Sequence, residues 1–143
     1  MLPKWHILFG AIFSLIFYKI SPQINIFQAS LIFLSSVLID FDHYLWVIKR
    51  KGYFNLKTAY YWHKSLPLRH KPIMEIFHTI EFIIFILILS YFFKIFYFIL
   101  VGMLFHSLLD LIEIIYHKRG KCREFSLIRF LILRKKYPNR YFK

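Results

Sequence analysis

The sequence predicts an all-α fold: an integral membrane four-helix bundle with a basic amphipathic C-terminal segment. Three observations carry that prediction. Hydrophobic residues make up 59% of the 143-residue chain and the mean hydropathy is +0.53, above the roughly half-apolar usage of soluble domains. The apolar residues gather into four long Ile, Leu and Phe runs. The 20 Lys and Arg, set against 7 acids, give a formal net charge of +13, and these cations flank the apolar runs. Flanking cations fit anionic headgroups and membrane topology, so lipid rather than nucleic acid is the expected partner. A single cysteine, Cys122, excludes an intrachain disulfide.

The first run is Trp5 to Ile20. As a helix it spans ~24 Å, against ~30 Å of hydrocarbon. With Leu2 and Pro3 it just crosses. Lys4 before it and Ser21-Pro22 after it resemble a signal peptide, but no small-x-small cleavage site follows, so the run is expected to stay as a crossing. Ser21 to Asn25 reads as a turn, because Pro22 disfavours helix at the residue before it. The second run, Ile26 to Ile48, is long enough to span and ends at Lys49-Arg50-Lys51-Gly52.

Tyr53 to Lys71 reads as a loop. Its Tyr60, Tyr61 and Trp62 alternate with Lys57, Lys64 and Arg69, a mixture suited to the headgroup zone. Pro72 can open the third helix, Ile73 to Phe93. A tight turn is expected at Lys94, since one helix from Ile73 to Tyr116 would be about 66 Å long. The fourth run is Ile95 to Tyr116. Residues 1–117 therefore form the transmembrane domain and 118–143 a basic tail. Within the tail, Phe125 to Leu133 reads as a helix lying on the membrane surface. Basic residues concentrate in the 49–71 loop and the tail. The positive-inside rule then makes the protein multi-pass with both termini cytoplasmic.

The stretch Phe33 to Trp46 organises the functional reading. Asp40, Asp42 and His43 interrupt an apolar run, and ionisable groups in hydrocarbon are costly and usually functional. Partners stand in three other segments: His6, then His78 with Glu81, then His106 with Asp110. By helical rise, Asp40 lies ~21 Å from the outer end of its helix, His106 about 18 Å in, and Asp110 about 24 Å in. All fall in the inner half. The outer half keeps only Lys19 and Lys94, at its edge.

Faces agree with depth. His106 and Asp110 are i, i+4, and His78–Glu81 and Asp40–His43 are i, i+3. Asp42 points elsewhere on an ideal helix unless the helix bends there. Each residue alone is more simply an interfacial side chain that snorkels or pairs with a cation. Four segments offering imidazole or carboxylate at one depth suggest a divalent-metal site.

At these residues the sequence resembles the small membrane-bound metal-dependent hydrolases of bacteria and archaea, an inner-membrane hydrolase family some of whose members are tied to the bacterial DNA-damage response. Four elements carry the resemblance: His6-Ile7-Leu8-Phe9-Gly10, Asp40-Phe41-Asp42-His43, His78-Thr79, and His106-Ser107-Leu108-Leu109-Asp110. It covers roughly the first 117 residues and implies hydrolysis. The middle element departs from the family pattern, because His70-Lys71 stands well before His78. Either histidine could serve there. The His106-x-x-x-Asp110 element is also similar to a metal-binding one in zinc phospholipase C-like enzymes.

The expectation is a membrane-embedded metal-dependent hydrolase working at the cytoplasmic headgroup level on a lipid-linked phosphoester. The expected metal ligands are His6, Asp40, His43, His78, His106 and Asp110. Glu81 and Asp42 are the candidate catalytic groups, Glu81 as general base. Zinc is the expected metal, with manganese or iron as alternatives, and one or two ions. Anionic headgroups are the expected partners, and homo-oligomerisation is left open. Two other classes compete: a metal or proton carrier, and a non-catalytic membrane assembly protein with a hydrogen-bonded polar core. The apolar outer halves of the helices argue against a carrier.

Overall fold

A computed structural model describes residues 3–52, 54–65, 73–117 and 123–137. Among them the chain is all-helical apart from one two-residue pairing. The helices are α1 (Pro3–Ile20), α2 (Ile26–Leu38), α3 (Phe41–Lys51), α4 (Leu56–Lys64), α5 (Ile80–Phe92), α6 (Lys94–His117) and α7 (Leu127–Lys136). Strands β1 (Ile73–Met74) and β2 (Arg123–Glu124) pair in parallel, Ile73 opposite Arg123 and Met74 opposite Glu124.

Local chemistry sets most of these boundaries. Asn25 opens α2 with a capping box: its side chain accepts from Gln28 N at 2.9 Å, and Gln28 Oε1 accepts from Asn25 N at 3.1 Å. Asn25 thus stops the preceding turn from running on as helix. At Ile39 and Asp40 the backbone stays right-handed but tightens. Asp40 N donates to Val37 O at 3.3 Å and His43 N to Asp40 O at 3.1 Å, the i, i−3 pattern of a 3₁₀ turn. The second run is therefore two helices joined by a tightened turn rather than one uniform helix. Gly52 closes α3 in the left-handed region, φ 68°, where a side chain is strained.

Three expectations are corrected. The third helix begins at Ile80, not Ile73. Ile73–Met74 pairs with β2, Ile76–His78 forms one 3₁₀ turn, and the Thr79 side chain caps α5 by accepting from Phe82 N at 3.3 Å. Pro72 lies outside the described residues. The 53–71 segment is not simply a loop, since it holds α4, whose start is capped by Asn55 accepting from Lys57 N and Thr58 N. The tail helix runs Leu127–Lys136 and is tied to the bundle. Glu81 accepts from Ser126 Oγ at 2.6 Å, Leu127 N at 3.0 Å and Ile128 N at 3.2 Å.

Packing turns on small residues. A Cβ on Gly10 would sit 2.3 Å from Ser36 Oγ; one on Gly102 would sit 2.2 Å from the Ile32 carbonyl oxygen and 2.1 Å from Ser35 Oγ. Gly102 lets α6 approach the backbone of α2, and Gly10 lets α1 close onto the Ser36 side chain, the packing that small residues permit in membrane helices. On the other side of α6, one extended residue, Phe93, links α5 to α6. Their hairpin closes over Ile86, Leu100 and Met103, with Ile39 packed against them.

The interior is more polar than the exterior. His6, Ser36, Asp42, Glu75, His78, Thr79, His106 and Asp110 are buried, while Leu15, Ile20, Leu38, Ile88, Leu108 and Ile115 are exposed. Two helical stretches, Ile26–Lys49 and Lys94–Tyr116, are long and apolar enough to cross a membrane. α5 has 13 residues, about 20 Å of helix.

Candidate metal centre

The polar groups converge at one end of the bundle. His6 comes from the start of α1, Asp40 from the α2–α3 turn, Asp42 and His43 from α3, His78 from the 3₁₀ turn before α5, and His106 and Asp110 from α6. Donor atoms of Asp40, His78, His106 and Asp110 all lie within 4.8 Å of one another. The tightened Ile39–Asp40 turn answers the question of Asp42. It lets Asp40 face His106 while Asp42, two residues on, reaches His78.

The hydrogen bonds fix the tautomers. His106 Nδ1 lies 2.7 Å from the Ser36 carbonyl oxygen. A carbonyl only accepts, so Nδ1 carries the proton and donates. His78 Nδ1 lies 3.1 Å from Asp42 Oδ2, which also accepts from Phe77 N at 3.0 Å. That carboxylate likewise holds the His78 proton on Nδ1. In both neutral rings Nε2 is then a bare lone pair, and the two Nε2 atoms face each other at 3.1 Å. Two facing lone pairs repel unless a cation or a proton lies between them.

The carboxylates complete the set. Asp40 Oδ1 is 3.3 Å from His106 Nε2 and 3.6 Å from His78 Nε2. Asp110 Oδ2 is 3.3 Å from His106 Nε2 and 3.7 Å from His78 Nε2. A tetrahedral ion with bonds of about 2.0–2.1 Å requires donors separated by about 3.3–3.4 Å, and these separations scatter around that value. The donor set and its spacing could hold a metal ion. Asp42 and the Ser36 carbonyl stand where outer partners would orient the two imidazoles toward such an ion.

The remaining expected residues are placed as follows. His6 Nε2 lies 3.3 Å from Asp110 Oδ1, and its ring stacks on His106 at 4.0 Å. His43 sits outside the four-donor set, with Nε2 3.1 Å from Asp40 Oδ1 and Nδ1 2.6 Å from Glu75 Oε1. It also belongs to a second close group with Asp42 and His78. Glu81, expected as general base, directs both oxygens to the N-terminus of α7. Its carboxylate complements the backbone donors there and is committed away from the cluster. Asp42, expected as catalytic, hydrogen-bonds His78 Nδ1 at 3.1 Å. His70 lies outside the described residues.

Glu75 stands at the site although it is not among the residues expected there. Its carboxylate is buried and grips His43. The signal available was an acid among Ile73, Met74, Ile76 and Phe77, three residues before His78.

The chain was compared with protein-family models, with curated proteins and with solved structures, and it matches none of them.

Proposed function

We propose that this chain is a membrane-embedded, metal-dependent hydrolase whose site lies at the cytoplasmic headgroup level and acts on a lipid-linked phosphoester. The observation that carries the reading is the facing pair His78 Nε2 and His106 Nε2, flanked by Asp40 and Asp110. In this reading the four residues hold one divalent ion, zinc by its donor set.

Membrane embedding is supported by the outward apolar side chains. Each exposed Leu or Ile in water would forgo about 1.5–3 kcal/mol of burial, whereas lipid solvates it. α1 and α5 add two crossings to the two long spans, with the bilayer thinning locally around the short α5. The basic segments put both termini on the cytoplasmic side, the side of the polar cluster.

An ion held there would supply Lewis-acid polarisation of a phosphoryl oxygen and acidify a water molecule. The protein's own groups do the rest. Ser36 and Asp42 keep both imidazole lone pairs pointed inward. Asp40 and Asp110 balance the charge. His43, whose side chain is 23% exposed and the least enclosed of the cluster's histidines, is held between Asp40 and Glu75 and takes the proton-transfer role first expected of Glu81. Lys and Arg residues of the 49–71 segment and the tail would bind the phosphate. The resemblance to the inner-membrane hydrolase family agrees with this reading.

The test is to purify the full chain, measure bound metal, and assay phosphate release from a panel of lipid phosphoesters. Metal-dependent release that disappears in His106→Ala supports the proposal. Bound metal with no turnover on any phosphoester refutes the hydrolase assignment. One observation favours a second reading. A single proton between the two Nε2 atoms would also relieve their repulsion, giving a non-catalytic polar core. Metal-free protein of full thermal stability would select it.

A further inference from the structure

The four-donor set leaves out His6. This ring is 1% exposed, and neither of its nitrogens makes a hydrogen bond among the described residues. Its Nε2 is 3.3 Å from Asp110 Oδ1, yet the two do not form a hydrogen bond. A buried imidazole stripped of water gains nothing from such a position. A cation lying off the line between the two atoms would satisfy the imidazole.

Asp110 is therefore two-faced. Oδ2 turns to His106 and His78, while Oδ1 turns to His6. We propose that Asp110 bridges two divalent ions, the first in the four-donor pocket and the second held by Oδ1 and His6 Nε2. The proposal rests on the metal reading above and extends it to a dinuclear centre, in which paired ions stand about 3.5–4 Å apart. With two donors among the described residues, the second ion keeps open positions for water and substrate oxygens. A phosphoester spanning both ions is the substrate class that such a pair suits. The group of Asp42, His43 and His78 is the weaker candidate for a second ion. Asp42 and His78 already bond to each other at 3.1 Å, and His43 is engaged by Asp40 and Glu75.

The two sites differ in support. His78 and His106 each have an acceptor on Nδ1, which stiffens a liganding ring. His6 Nδ1 has none among the described residues. The second ion should be the more weakly held and the first removed by a chelator.

The experiment loads the purified full-length protein with Mn²⁺ alone, counts metal by mass spectrometry and records its paramagnetic resonance. The expected result is two ions per chain with an exchange-coupled spectrum. His6→Ala should hold one ion and give an isolated, uncoupled signal. One ion in the wild type, or two in His6→Ala, overturns the bridge while leaving the mononuclear site standing. No ion in the wild type overturns the metal reading itself. If His6→Ala does not fold, the wild-type titration decides alone: two steps of chelator release support the bridge and one step refutes it.

Discussion

His78 Nε2 and His106 Nε2 face each other at 3.1 Å, and the other nitrogen of each ring is already a donor, to Asp42 and to the Ser36 carbonyl. Neither nitrogen of the facing pair can donate to the other while both rings are neutral. His106→Ala removes one of the pair, and Asp110→Ala removes a flanking carboxylate. Both variants should purify folded and lose bound metal. Elemental analysis beside circular dichroism checks this; unchanged metal content in both would refute the assignment.

Asp42 Oδ2 lies 3.1 Å from His78 Nδ1. Asp42→Ala removes the acceptor that keeps the His78 proton on Nδ1, so Nε2 is no longer held as the free lone pair. Outer partners of this kind typically change metal affinity 10–100-fold. A competitive chelator titration should show a weakening in that range with the stoichiometry of the four-donor site unchanged.

Gly102 is where α6 meets the backbone of α2. Gly102→Ala would drive a methyl to 2.2 Å from the Ile32 carbonyl oxygen, and backbone cannot swing aside as a side chain does. Overpacking of this type costs about 1–3 kcal/mol or more. Thermal melts in detergent should show a clear loss, whereas Leu108→Ala, on the exposed face of the same helix, should change little.

Glu81 serves the tail helix. Glu81→Gln should leave metal content intact and reduce hydrogen-exchange protection at Leu127 and Ile128, whose amides it accepts. Loss of metal with an unaltered α7 would reverse this division of roles.

Reporter fusions address orientation. Tags at either terminus and in the 53–71 segment should all report from the cytoplasm. A tag at the Ser21–Asn25 turn should report from the opposite side. An external signal from the C-terminus would dismiss the four-crossing arrangement.

Much of the site could be read from spacing alone. His106 and Asp110 are one turn apart, so they share a face whatever else the chain does. Depth along each helix predicted that Asp40, His78 and His106 would meet at one level. The break at Ile39–Asp40 could not be read, because no proline or glycine marks it; what meets Ile39 there, Ile86, Leu100 and Met103, lies far along the chain. The late start of α5 was hidden for a similar reason. Ile73–Met74 looks apolar enough for helix, but its backbone is claimed by β2 some fifty residues away. The duties of Glu75 and Glu81 depend on partners, His43 and Ser126, that sequence neighbourhood does not reveal.

The β1–β2 pairing gives the tail a mechanical consequence. β1 leads directly into Glu75 and the turn that carries His78, and α6 supplies His106 from the opposite side. A chain cut before Arg123 would retain every metal donor, yet the segment presenting His78 would lose its latch. The basic tail is thus a brace for the cage, and clipping it should loosen the grip on metal without deleting a ligand.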